Sequence, residues 1–150
     1  MTDKISDFLR EIDLQNASRG TWGVGTMLTR AGAKAAQAVM SISIKSAEDQ
    51  FIVSASNDVV IPIVVETLGK ISLGLKDPAL FDIPTATFAV FMGETMLGRT
   101  TACLVFITLR AASENSTHVL IVGYAKEPFN NDIASSWVKK VRNAISAKVP

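Results

Sequence analysis

The chain has 150 residues, of which 48% are hydrophobic and 19% charged, and this composition excludes an intrinsically disordered protein. Fifteen basic residues face 14 acidic ones for a formal net charge of +1, so the sequence carries no electrostatic footprint for nucleic acid or an anionic membrane surface, and no nucleic-acid partner is expected. The length fits one domain over residues 1–150, and the apolar excess favours self-association or a ligand cavity.

Targeting and redox signals are weak. The N-terminal residues are charged, and no run of about 18 apolar residues is present, so we expect no membrane span and a cytoplasmic location. The single cysteine, Cys103, lies inside an apolar stretch and provides neither an intramolecular disulfide nor a thiolate metal cluster. No cofactor or metal is expected.

The first predicted element is an amphipathic helix over residues 4–15. Its apolar side chains follow the spacing of one helical face, namely Ile5, Phe8, Leu9 and Ile12. A glycine-rich break at 16–25 surrounds Trp22 with a G-x-x-G-x-G spacing that differs from the dinucleotide fingerprint, and we interpret these glycines as room for Trp22 to pack. Residues 1–25 are thus interpreted as a peripheral helix and connection, and an alanine-rich helix is expected at 26–38.

The next segment is interpreted as a hairpin of two strands, at about 39–45 and 50–56, with a polar turn at 46–49. A helix then extends to about Leu73. Proline is tolerated only in the first helical turn, so Pro62 predicts a start near Ile61. An irregular connection follows at 75–84.

Three successive antiparallel strands are predicted between Thr85 and Lys126, at about 87–92, 100–110 and 117–126. In the middle strand both alternating sets of side chains are apolar. A sheet with one solvated face would alternate apolar with polar residues, so both faces of this sheet are expected to be covered.

A last helix is expected from Asn131 to Lys148. The full order is α-α-ββ-α-βββ-α, which predicts an α+β domain with one antiparallel sheet of about five strands and helices packed on it. This order resembles two known layouts. One is the profilin, roadblock or longin type, with helices on both faces of the sheet, and the other is the helix-grip type, in which a curved sheet wraps the last helix around a cavity.

Candidate ligand or interface residues are few. The lone histidine, His118, shares one phase of its strand with Tyr124 and Lys126. Arg99 and Arg110, at the ends of the neighbouring strand, are candidates for anion contacts. The two tryptophans, Trp22 and Trp137, complete the set. No nucleophile, base or carboxylate pair has catalytic spacing, so no catalytic residue is assigned.

We therefore expect a non-catalytic binding or assembly module that forms a homodimer through an apolar sheet or helix surface. The alternative is a carrier of an apolar small molecule or lipid, with a cavity between the sheet and the C-terminal helix. An enzyme ranks third, because it would need several polar side chains converging around His118 or Tyr124.

Overall fold

A computed structural model describes residues 4–11, 44–96, 99–126 and 132–150 of the chain. Within these ranges five strands form one antiparallel sheet in the order β1-β5-β4-β3-β2. The strands are β1 Ile44–Val53, β2 Gly74–Lys76, β3 Phe88–Met96, β4 Arg99–Ser113 and β5 Ser116–Lys126. The predicted α+β fold with a five-stranded antiparallel sheet is confirmed.

Helices pack on both faces of this sheet. Residues 4–11 are helical and are named α1, followed by α2 (Asn57–Ile71) and α3 (Ile133–Ser146). A short 3-10 helix, Pro78–Phe81, connects β2 to β3. The predicted helix at 26–38 and the glycine-rich break around Trp22 lie outside the described residues.

The predicted turn at 46–49 is wrong, because these residues lie inside β1. All ten residues of β1 pair with β5 without interruption. The polar side chains that suggested a turn are those of a half-solvated strand, in which Ser46, Glu48 and Gln50 are exposed. The fifth strand is instead β2, which overlaps the start of the stretch interpreted as an irregular connection. The segment 39–43 lies outside the described residues.

Helix α2 begins at Asn57, so the start predicted near Ile61 is also wrong. Pro62 lies in the second turn, where it cannot donate to the Asp58 carbonyl. Both Asp58 and Pro62 are exposed, so that carbonyl can bond to water. Burial of Val60 and Val64 on the opposite side offsets the cost of the proline.

The sheet separates two hydrophobic cores. The first core lies between one face of the sheet, called the first face, and helices α2 and α3. The second core covers the other face with α1 and Phe81, and both Ile5 and Leu9 of α1 are buried in it. Strand β4 contributes to both cores: Cys103, Val105, Ile107 and Leu109 to the first, and Leu104 and Phe106 to the second. The prediction that both of its faces are covered is confirmed.

Helix α3 lies unusually close to the sheet at Gly123. A methyl group at this position would lie 2.7 Å from Val138 Cγ2, 3.3 Å from Cys103 Sγ and 3.4 Å from the Ala134 carbonyl oxygen. Glycine is therefore required by the close approach of the two backbones. At this point the space between β5 and α3 is filled by protein atoms.

Candidate functional site

The sequence candidates on β5 occupy two different environments. His118 Nε2 lies 2.8 Å from Gln50 Oε1 on the neighbouring strand, and the exposed Arg110 is paired with His118 in the sheet register. Tyr124 packs instead against the second core, with its ring edge-on to Phe106 at 5.8 Å between centroids. Tyr124 lies six residue steps along β5 from His118, which is about 20 Å. The two side chains do not converge on one cleft.

Trp137 belongs to the first core, with 9% of its surface exposed. Lys140 Nζ lies 4.5 Å from the ring centroid, so the indole holds a cation on its outer side. Arg99 and Lys126 are at the ends of β4 and β5, and their side chains, like all of Trp22, are outside the described part of the structure. Among the described candidates, His118 and Arg110 are thus neighbours on paired strands, whereas Tyr124 packs against the second core and Trp137 belongs to the first.

The described ranges contain no cluster of three or more histidine, cysteine or acidic side chains that could hold a metal ion. Among the helices that the structure describes, none has the length and apolar character needed to cross a membrane.

An ion pair links α3 to β1. Arg142 Nη1 donates to Asp49 Oδ2 at 2.8 Å, and the guanidinium lies 5.3 Å from the Phe51 ring centroid. The other oxygen of Asp49 accepts the backbone N–H of Gln50 at 2.8 Å. The carboxylate is therefore held in place before the arginine reaches it, which reduces the entropy cost of the pair.

We expect Asp49→Ala to lower the free energy of unfolding by about 1 kcal/mol, since the pair is charge-assisted but partly solvated. A double-mutant cycle with Arg142→Ala measures the coupling energy between the two side chains, with the free energy of unfolding of each variant taken from urea denaturation. Additive effects of the two substitutions would mean that the pair does not stabilise the fold.

Exposed apolar side chains are concentrated in one segment of the described chain. Six of the seven large exposed hydrophobic residues among the described ones lie between residues 59 and 80. Four of them, Ile61, Val65, Leu73 and Leu75, are named the edge patch. The sequence interpretation did not select this surface, although the signal was present. Residues 59–65 are seven consecutive apolar residues, and a helix that is apolar on all sides cannot bury every one against a single sheet.

The edge patch combines a helix face with the edge strand. Ile61, Val65 and Gly69 recur at i, i+4 and i+8, which places them on one side of α2. Leu75 is paired with Val90, a first-core residue, so it faces the same side of the sheet as α2. Leu75 is nonetheless 45% exposed. Strand β2 is the last strand of the described sheet, so its outer edge has no strand partner there.

A groove of about 330 Å³ lies on the other side of α2, between α2 and α3. Its lining combines apolar and charged side chains, which are Ile63, Glu66, Thr67, Lys70, Ile71, Ala144, Ala147 and Lys148. Lys70 Nζ donates to Glu66 Oε1 at 3.0 Å. This hydrogen bond, the charge of Lys70 and, to a smaller extent, the charge of Lys148 lower the pKa of Glu66 from its ordinary value.

Comparisons with known proteins give little. No family model matches the sequence, and no curated protein matches it. Among solved structures, the crystal structure of Zhui aromatase/cyclase from Streptomyces sp. R1128 matches with a TM-score of 0.34 and 9% sequence identity, over 70% of this chain and 84% of that chain. A likeness of this size carries no argument about function.

Proposed function

We propose that this protein is a non-catalytic assembly module that self-associates into a homodimer through the edge patch. The observation that carries the proposal is the exposure of Leu73 and Leu75 at an edge strand together with that of Ile61 and Val65 on α2, the helix that precedes this strand. Exposed apolar surface is typical of interaction sites, because its transfer from water is favourable on association. Of the candidate polar residues, His118 is hydrogen-bonded to Gln50 of the neighbouring strand.

The two edges of the sheet differ in a way that favours pairing at β2. Strand β1, at the far edge, exposes Lys45, Glu48 and Gln50, and charged edge residues oppose pairing with another chain. Strand β2 has the sequence Gly74-Leu75-Lys76, in which only Lys76 is charged. Lys76 pairs with Ala89 of the second core, so it faces away from α2 and the edge patch. The apolar side of this edge is therefore without a charge on the strand itself.

A second copy of the chain fits this surface. Two β2 strands placed antiparallel about a two-fold axis would join the sheets of two protomers, and the axis would bring the apolar faces of both α2 helices to the same junction. Such an interface is isologous, since every residue meets the same patch on the partner. Each substitution in the patch therefore acts twice per dimer.

The test is sedimentation velocity over a concentration series. We expect the wild-type chain to associate into a dimer, and we expect Leu75→Asp to raise the dissociation constant about tenfold or more, because two carboxylates per dimer would be desolvated in an apolar interface. Val65→Asp, on the helix part of the patch, is expected to act in the same direction.

Ile52→Asp is the matched control. Ile52 is 64% exposed on β1, at the opposite edge of the sheet, so its substitution adds the same charge without touching the edge patch. The dimer should persist in this variant. A wild-type chain that stays monomeric across the series, or an Ile52→Asp variant that dissociates as readily as Leu75→Asp, would contradict the proposal.

Two openings beside α3 bear on the carrier alternative. A pocket of about 290 Å³ between β1 and α3, with a largely polar lining, lies where that alternative expected a cavity, and the groove between α2 and α3 lies outside that place. Between β5 and α3 the described side chains fill the space so closely that a methyl group at Gly123 would overlap Val138. The groove between α2 and α3 is open and partly apolar, and it is the feature that favours a ligand-binding role.

A further inference from the structure

We propose that the groove between α2 and α3 binds an amphiphilic anion, a short alkyl chain carrying a carboxylate head. Its volume of about 330 Å³ suits a small ligand, since small-molecule sites begin at about 300 Å³. Of the residues that line the groove, Ile71 also packs against the first core.

The floor of the groove can hold an alkyl chain. Ile63 and Ile71 of α2 face Ala144 and Ala147 of α3 across it. The alanines on α3 leave the space that larger side chains would fill. Thr67, the polar residue of the floor, has its hydroxyl bonded to the Ile63 carbonyl at 2.7 Å, so it presents its methyl group without an unsatisfied donor.

The rim of the groove can hold an anionic head. Of its three charges, Lys70 and Glu66 neutralise each other through their 3.0 Å contact. The Lys148 ammonium group, just beyond the end of α3, makes no ion pair or hydrogen bond among the described residues, and its influence on Glu66 is only through space. One ammonium group on the rim is thus available to a ligand carboxylate, and a pair of this kind is charge-assisted.

The helix ends do not repel such a ligand strongly. Both helices approach the groove with their C-terminal halves, where free carbonyl groups would carry partial negative charge. Several of these carbonyls already accept hydrogen bonds: Leu68 from the Ser72 N–H, Asn143 from Ala147, and Ile145 from both Lys148 and Val149. The negative ends are therefore partly neutralised before a ligand arrives.

This site is separate from the edge patch. Ile63 and Lys70 lie on the side of α2 that faces α3, whereas Ile61 and Val65 lie on its other side. Ligand binding and self-association consequently do not depend on each other. The monomeric variant Leu75→Asp should bind the ligand as the wild type does, so failure of one proposal is distinguishable from failure of the other.

The experiment is a titration of the full chain with decanoate. Isothermal titration calorimetry measures the affinity, and the chemical shifts of backbone amides locate the binding site. We expect the largest shifts on α2 and α3 around the groove. Lys148→Gln should weaken decanoate binding about tenfold, through loss of the charged partner. Glu66→Gln should strengthen it about threefold, because Lys70 is then released toward the ligand.

Two further measurements distinguish the contribution of the charged head of the ligand from that of its alkyl tail. Ala144→Leu fills the floor and should abolish binding, while decanol, which keeps the tail and lacks the charge, should bind the wild-type chain about as weakly as decanoate binds Lys148→Gln. Melting temperatures report whether each variant remains folded. Decanoate shifts located elsewhere, or affinities unchanged in both Lys148→Gln and Ala144→Leu, would overturn the proposal.

Discussion

Phe81→Ala is expected to lower the free energy of unfolding by about 3–5 kcal/mol, the range for removing a buried aromatic side chain. Phe81 is 5% exposed and packs edge-on between Phe8 of α1 and Phe106 of β4, with ring centroids 5.5 and 5.7 Å away. Its loss removes the dispersion contacts of both rings and leaves a cavity beneath α1. Urea denaturation followed by circular dichroism measures the change.

The neighbouring residue provides the control. Leu80 lies in the same 3-10 helix but is 60% exposed, so Leu80→Ala should change stability by less than about 0.5 kcal/mol. A comparable loss in both variants would show that the 3-10 helix itself, and not the aromatic contacts, controls the stability of this region.

Gly123→Ala should destabilise the fold by about 1–3 kcal/mol, the usual cost of forcing an extra carbon into a packed site. The added methyl would lie 2.7 Å from Val138 Cγ2. Val138 is β-branched and cannot turn away without an unfavourable rotamer, so α3 has to move away from β5. Thermal unfolding measures the loss, and near-ultraviolet circular dichroism of Trp137 should change because this residue lies on the same helix.

Gly69→Ala is the matched substitution at a position with space. A methyl group there meets no atom within 4 Å, and the residue lies inside α2. We expect this change to stabilise the protein by about 0.5–1 kcal/mol, since alanine loses less backbone entropy than glycine in a helix. Opposite signs for the two glycines would locate the packing constraint at Gly123, and equal destabilisation would contradict it.

Strands β3, β4 and β5 could be predicted from sequence because their signals are local. The two apolar phases of β4 required cover on both faces, and the structure provides it through Cys103, Val105 and Ile107 on one side and Leu104 and Phe106 on the other. The turn between β4 and β5 at Glu114-Asn115 was equally visible, as a polar interruption between two β-branched runs.

The strands at the sheet edges could not be predicted, because tertiary pairing defines them. β2 has only three residues and is set in place as the Leu73 N–H donates to the Phe91 carbonyl at 2.8 Å. β1 carries polar side chains that a local interpretation assigns to a turn. The groove between α2 and α3 was missed because it depends on how far α2 lies from α3, which no spacing within α2 encodes. The edge patch was missed although the apolar run at 59–65 indicated exposed apolar side chains on α2.

The division of the interior by the sheet has a consequence for local opening. The second core depends on α1, because Ile5 and Leu9 of this helix are buried in it and Phe8 packs against it. Detachment of α1 would break the second core but leave the first core, with α2 and α3, intact. The chain can therefore open on one side at a lower free energy than global unfolding, and the surface then bared contains Leu104 and Phe106 at the centre of the sheet.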